Sequence, residues 1–294
     1  SRKLTIAYLG AFVVTGLGLG TAGPALSHLR QQAHTNEAGF GLAFVGLSIG
    51  YILASMYSGR GVDRGGGHRR WAAALGTACV AILLISVASS LLTMVLAFSL
   101  LGGACGACDV NGNTLITWSK PGGAGKLLSG GHLCFAVGAM LTPVIVNRSL
   151  HWFDSVWGVV VPMAFVTILC GRVLLSQAAP VQTRSKTSEK SGERGLRLIL
   201  ICSFFFAYVA METGFVSWIH TYVEDIHDGT AATATGVATM FGGGFVFGRV
   251  LSVFLNSRFS AGKVVAGATI SAVVAGGLFT LFSGAVVMLW VVTF

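Results

Sequence analysis

Asp109, Asn113 and Thr117 stand at i, i+4 and i+8 in the stretch GACDVNGNTLITW, residues 106–118. On a helix that spacing puts a carboxylate, an amide and a hydroxyl on one face. Such a stripe offers donors and acceptors to a polyhydroxylated small molecule, and its carboxylate can bind a cation or exchange a proton. Asn111 points elsewhere on an ideal helix and reads as packing. Glu212 is a second carboxylate in a separate apolar run, and of the ten acidic residues these two lie clearly inside such runs. An acidic group near the centre of a membrane helix costs about 2.5–3.5 kcal/mol, so each is expected to face a polar cavity and act there. Burial favours the neutral form of a carboxyl group, which brings proton exchange within reach. His132 offers a proton relay or a ligand hydrogen bond, with a satisfied interior histidine as the equal alternative. Trp218 offers an apolar face to a sugar-like ring or an anchor at a membrane interface.

The elements that must carry these residues follow from composition. Hydrophobic residues make up 54% of the 294-residue chain, charged residues 10%, and the mean hydropathy is +0.78. A soluble domain carries about 25% charge, so this is an all-α, polytopic membrane protein. The 41 glycines read as material for close helix packing. All six cysteines fall inside apolar runs, which argues against a disulfide framework, and Cys105-x-x-Cys108 alone makes neither a metal site nor a redox pair. HExxH and clustered His/Asp ligands are absent from the sequence, so an enzyme is disfavoured and no resident cofactor or metal is expected.

The apolar runs cover about residues 4–26, 40–57, 71–89, 91–118, 128–146, 156–175, 196–222, 232–255 and 264–281, with a tenth from Ala285 that meets Phe294. The expectation is therefore a bundle truncated after about nine and a half helices. Residues 178–195 form the one extended polar linker, separating bundles over 1–177 and 196–294. With the N-terminus in the cytoplasm, all of the 19 Lys and Arg residues except Arg30, Arg148 and Arg249 lie on the cytoplasmic side. The net charge of +9 is thus a topology signal rather than a nucleic-acid footprint. The lipid bilayer is the expected surroundings, with the particular membrane left open, and the chain is expected to be a monomer.

Between the second and third runs, GYILASMYSGRGVDRGGGHRR resembles the cytoplasmic signature loop of the major facilitator superfamily at Gly59, Asp63, Arg64, Gly66, Arg69 and Arg70. Gly67-His68 delays its basic pair by two residues. A weaker echo in the second bundle places Arg249 and Arg258, with Ser257 where an acidic residue is expected. Within that superfamily the chain is similar to the fucose permease and sodium-dependent glucose transporter branch. Asp109 with Asn113 matches in the fourth span. His132, Phe135, Gly138 and Pro143 match in the fifth, and Tyr208, Val209, Glu212, Gly214, Trp218 and Tyr222 in the seventh.

The resemblance implies a fold of two six-helix repeats and secondary active transport of a sugar or other hexose-like solute by alternating access. Asp109 or Glu212 would bind the coupling cation, H⁺ or Na⁺, and Asn113, Thr117, His132 and Trp218 would complete the substrate and ion site. Asp63 would pair with arginines or a helix N-terminus where two helices part in one transport state. The alternative is a solute-sensing receptor or scaffold on the same fold that binds but does not move its solute. Pro24 and Pro143 are expected to bend the first and fifth spans.

Overall fold

The computed structural model describes residues 1–62, 65–120, 124–181, 191–226 and 231–281. Every regular element among the described residues is helical: α1 Arg2–Gly20, α2 Leu26–Gln32, α3 Glu37–Val62, α4 Gly67–Val87, α5 Leu91–Ser119, α6 Ala124–Phe153, α7 Val160–Leu175, α8 Ser191–Ile226, α9 Ala231–Arg258 and α10 Ala261–Leu281. A 3-10 turn, Val156–Val159, leads into α7. Seven helical segments among the described residues are long and apolar enough to cross a membrane. Their outward faces are apolar too, with Leu42, Ile49, Leu53, Val80, Phe165 and Ile168 all exposed. Side chains of this kind belong against lipid.

The sequence places the helices well but misjudges several ends. The first run was expected to continue to Leu26, whereas α1 stops at Gly20 and the chain turns through 21–25 before the short α2. Pro24 sits in that turn, where its missing N–H costs nothing. Pro143 lies inside α6, which continues past it to Phe153. Helices also overrun their apolar stretches: α8 begins at Ser191, inside the polar segment expected to end at residue 195. A helix satisfies its backbone internally and need not stop where its apolar residues do. The linker core 182–190, the tenth run and the gate residues Asp63 and Arg64 lie outside the described residues.

Close glycine seams join α3 to α5 and α1 to α6. α3 lies along α5 so tightly that a Cβ on Gly50 would meet the Ser99 carbonyl, and one on Gly102 the Leu47 carbonyl. At Gly106 an added Cβ would stand 2.5 Å from the Tyr51 carbonyl oxygen. α1 and α6 meet in the same way, Gly138 facing the Val13 carbonyl. Small residues let membrane helices approach where lipid supplies no hydrophobic drive toward association. The core beneath is apolar and aromatic, with Tyr8, Phe40, Trp71, Phe98 and Leu115 almost fully buried. α9 packs on both α6 and α8 and so connects the later helices to the earlier ones.

Candidate functional site

The α3–α5 seam brings two helices to a single polar group. Asp109 on α5 is half-buried, and both of its carboxylate oxygens are occupied. Tyr51 on α3 donates its hydroxyl to Oδ2 at 2.7 Å, and Asn113, one turn along α5, donates its amide to Oδ1 at 2.8 Å. These are charge-assisted bonds if the carboxyl is ionised, and they fix its orientation in either form. Thr117 continues the α5 face but is exposed and returns its hydroxyl to the Asn113 carbonyl at 2.7 Å. Asn111 is fully buried with its amide on the Ala107 carbonyl. Asp109 and Asn113 therefore form a unit, while Thr117 and Asn111 each donate to a carbonyl of their own helix, and the buried Asn111 Oδ1 has no partner among the described residues.

Tyr51 is the residue that sequence reasoning passed over. It lies in the stretch quoted for the signature loop, where an aromatic residue in an apolar run reads as packing. The signal lay in its neighbours, because Ser48, Tyr51 and Ser55 recur at helical spacing along one face of α3. Phe44 begins the same face, one turn before Ser48.

His132 on α6 is half-buried, with its ring edge-on to Phe12 of α1 at 5.6 Å between centroids. Glu212 is half-buried on α8. Trp218, further along α8, is 37% exposed and packs on Phe44 with ring centroids 5.7 Å apart. Phe44 in turn packs against Phe40 and Phe98. Trp218 thus joins α8 to an aromatic group at one end of the α3 polar face.

At the opposite end of α3 the signature loop turns through Gly65 and Gly66, with φ of +87° and +75°, a region open chiefly to glycine. Gly66 caps α4. The Arg70 guanidinium folds over Gly61, where a side chain would collide with it, while Arg69 is exposed. Gly59 is half-buried and open enough to accept a Cβ. Arg258 closes α9 and lies over the Phe254 ring at 5.1 Å, and the Arg249 side chain is outside the described residues. The two extra residues of the loop have definite places. Gly67 packs against Leu115 of α5, and His68, 2% exposed, bonds the Tyr8 hydroxyl at 2.8 Å and the Gln177 carbonyl at 2.9 Å. They seat the start of α4 against α1, α5 and the end of α7.

The sequence profile of the Major Facilitator Superfamily matches residues 8–294. The chain belongs to the major facilitator superfamily. It is a multi-pass membrane protein of that fold. Among curated relatives, it is 21% identical to the human sodium-dependent glucose transporter 1 over 96% of this chain and 62% of that protein. The zebrafish (Danio rerio) sodium-dependent glucose transporter 1 is 26% identical over 99% of this chain and 56% of that protein. The chain thus spans about three fifths of the length of these two relatives. The E. coli fucose:proton symporter superposes with a TM-score of 0.66 at 17% identity, covering 98% of this chain and 79% of that one. At that identity the likeness is one of fold.

Proposed function

We propose that the protein is a secondary active transporter that moves a sugar or sugar-like small solute across its membrane by alternating access, coupled to a cation. The observation that carries this reading is the Tyr51–Asp109–Asn113 group, a carboxyl held by two donors on the inner seam of an apolar bundle. A polar group in that position is costly to insert and earns its place by function. Kinship to sodium-dependent glucose transporters and the fold of a fucose:proton symporter support a hexose-like solute and a coupling ion, H⁺ or Na⁺.

Asp109 takes the coupling ion in this reading, and H⁺ fits its surroundings better than Na⁺. Hydroxyl and amide donors already point at both oxygens, and the Tyr51 hydroxyl can turn to accept from a proton bound there. Asn113, Thr117, His132, Glu212 and Trp218 line the solute path. Asp63, Arg64, Arg69 and Arg70, with Arg249 and Arg258 as their echo, work the cytoplasmic gate. The two bundles, 1–177 and 196–294, rock about the solute with the linker 178–195 between them. The N-terminus is cytoplasmic in this reading, which the Lys and Arg distribution supports, and the transporter works as a monomer.

The test is uptake by the full-length protein in liposomes, with a panel of hexoses including glucose and fucose under imposed proton or sodium gradients. Accumulation of one hexose driven by one of the gradients is the expected result. Saturable binding of a hexose with no uptake under either gradient would replace the transporter with a sensor on the same fold.

A further inference from the structure

We propose that Tyr51 is the positioning residue for Asp109: its hydroxyl holds Oδ2 and changes from donor to acceptor when that oxygen takes up a proton. The proposal rests on the reading of Asp109 as the group that takes the coupling proton.

The two partners of Asp109 differ in what they can do. The Asn113 amide nitrogen can only donate, so a proton arriving on Oδ1 would find no acceptor there. A tyrosine hydroxyl has one hydrogen to give and lone pairs to accept with. When a proton from the cavity joins Oδ2, the Tyr51 O–H swings aside and its oxygen accepts the new hydrogen across the same 2.7 Å. One O–H bond forms, the site loses one negative charge, and no heavy atom has to move. Oδ2 is therefore the oxygen whose proton gains an acceptor, while Oδ1 keeps its bond from Asn113 in either form.

The seam keeps this pair in register. The Tyr51 backbone carbonyl lies over Gly106, against the position a Cβ would take, so α3 cannot slide along α5 without a collision. Among the described residues the thiols of Cys105 and Cys108 on α5 also lie near the carboxyl, and Cys108 in turn lies near Cys79 on α4 and the Thr15 hydroxyl on α1. On α6, His132 sits against Phe12 of α1. The hydrogen bonds the structure gives Asp109 therefore come from the Tyr51 hydroxyl and the Asn113 amide.

Infrared difference spectra of the purified full-length protein, titrated with pH, read the carbonyl stretch of protonated carboxyl groups without any solute or gradient. Asp109→Asn should remove one titrating component and so identify it. In Tyr51→Phe that component should persist, with its midpoint moved to higher pH by about one unit, a tenfold change in proton affinity, because the charged form has lost a donor. Fluorotyrosine at position 51, a stronger donor with the same shape, should move the midpoint the other way. Midpoints in both Tyr51 variants that overlay the wild type, with the component absent in Asp109→Asn, would overturn the role of Tyr51 alone. Spectra of Asp109→Asn that match the wild type would overturn the reading of Asp109 beneath it.

Discussion

His68 gives the sharpest test of how the signature loop is built. The Gln177 carbonyl can only accept, so the His68 Nδ1 facing it carries the hydrogen, and Nε2 of the neutral ring accepts from the Tyr8 hydroxyl. Replacing His68 with Ala strands both partners unequally. Gln177 follows the end of α7, is half-buried, and can turn its carbonyl to water. Tyr8 is 1% exposed and cannot, so its orphaned hydroxyl costs about 1–3 kcal/mol. The vacated ring space, next to Tyr8 at 5.7 Å between centroids, adds about 1–2 kcal/mol, as partial loss of a buried side chain does. The expected destabilisation is therefore about 3 kcal/mol. Tyr8→Phe, which keeps the ring and loses only the hydroxyl, should cost about 1 kcal/mol. Because the double variant no longer buries an unpaired hydroxyl, the two effects should fall short of additivity by about 0.6–1.7 kcal/mol, the range measured for hydrogen bonds between membrane helices. The assay is reversible unfolding of the full-length protein in mixed micelles titrated with a denaturing detergent. His68→Ala within 0.5 kcal/mol of wild type, or an additive cycle, would refute the seating of α4 through this residue.

Neighbouring glycines on α5 should separate cleanly in the same assay: Gly102→Ala drives a Cβ into the Leu47 carbonyl and should cost about 1–3 kcal/mol, whereas at Gly103 the added Cβ stands 3.6 Å from Ala54 Cβ and should cost under about 0.5 kcal/mol. Asp109→Asn should leave the protein folded while abolishing gradient-driven accumulation in liposomes; accumulation equal to wild type removes Asp109 from coupling. Trp218→Ala should weaken the closure at Phe44 by about 0.5–1.5 kcal/mol, the worth of an aromatic pair, and so raise the labelling rate of a cysteine placed at Ser48 by about two- to tenfold. An unchanged labelling rate would mean that this ring contact does not limit access to the α3 polar face.

What the sequence revealed and what it hid divide along physical lines. Asp109 and Asn113 were legible because both partners lie on one helix, four residues apart, where spacing alone predicts the contact. Tyr51 and Phe44 were not, since each meets its partner across an interface between elements distant in sequence, Asp109 in one case and Trp218 in the other. Helix ends were blurred for another reason. Hydropathy marks where lipid begins, and α6 and α8 run on beyond it in polar sequence. Gly67-His68 looked like an irregularity of the signature loop because a pattern compares residues by position. In the fold these two residues buy the contacts with Leu115, Tyr8 and Gln177 that fix where α4 begins.

The glycine seam and the polar group are one device. An ordinary van der Waals contact needs about 3.4 Å, and the position of a Cβ on Gly106 lies 2.5 Å from the Tyr51 carbonyl, so a single methyl group there would part α3 and α5 by about 0.9 Å. The Tyr51–Asp109 bond is 2.7 Å, and hydrogen bonds of this kind fade beyond about 3.0–3.2 Å. Its tolerance for separation is therefore smaller than the displacement that one methyl group would impose. The small residues that allow the helices to associate in lipid also set the spacing at which a tyrosine from one can hold a carboxyl on the other. The seam glycines thus set the geometry of this polar group as much as the packing of the helices.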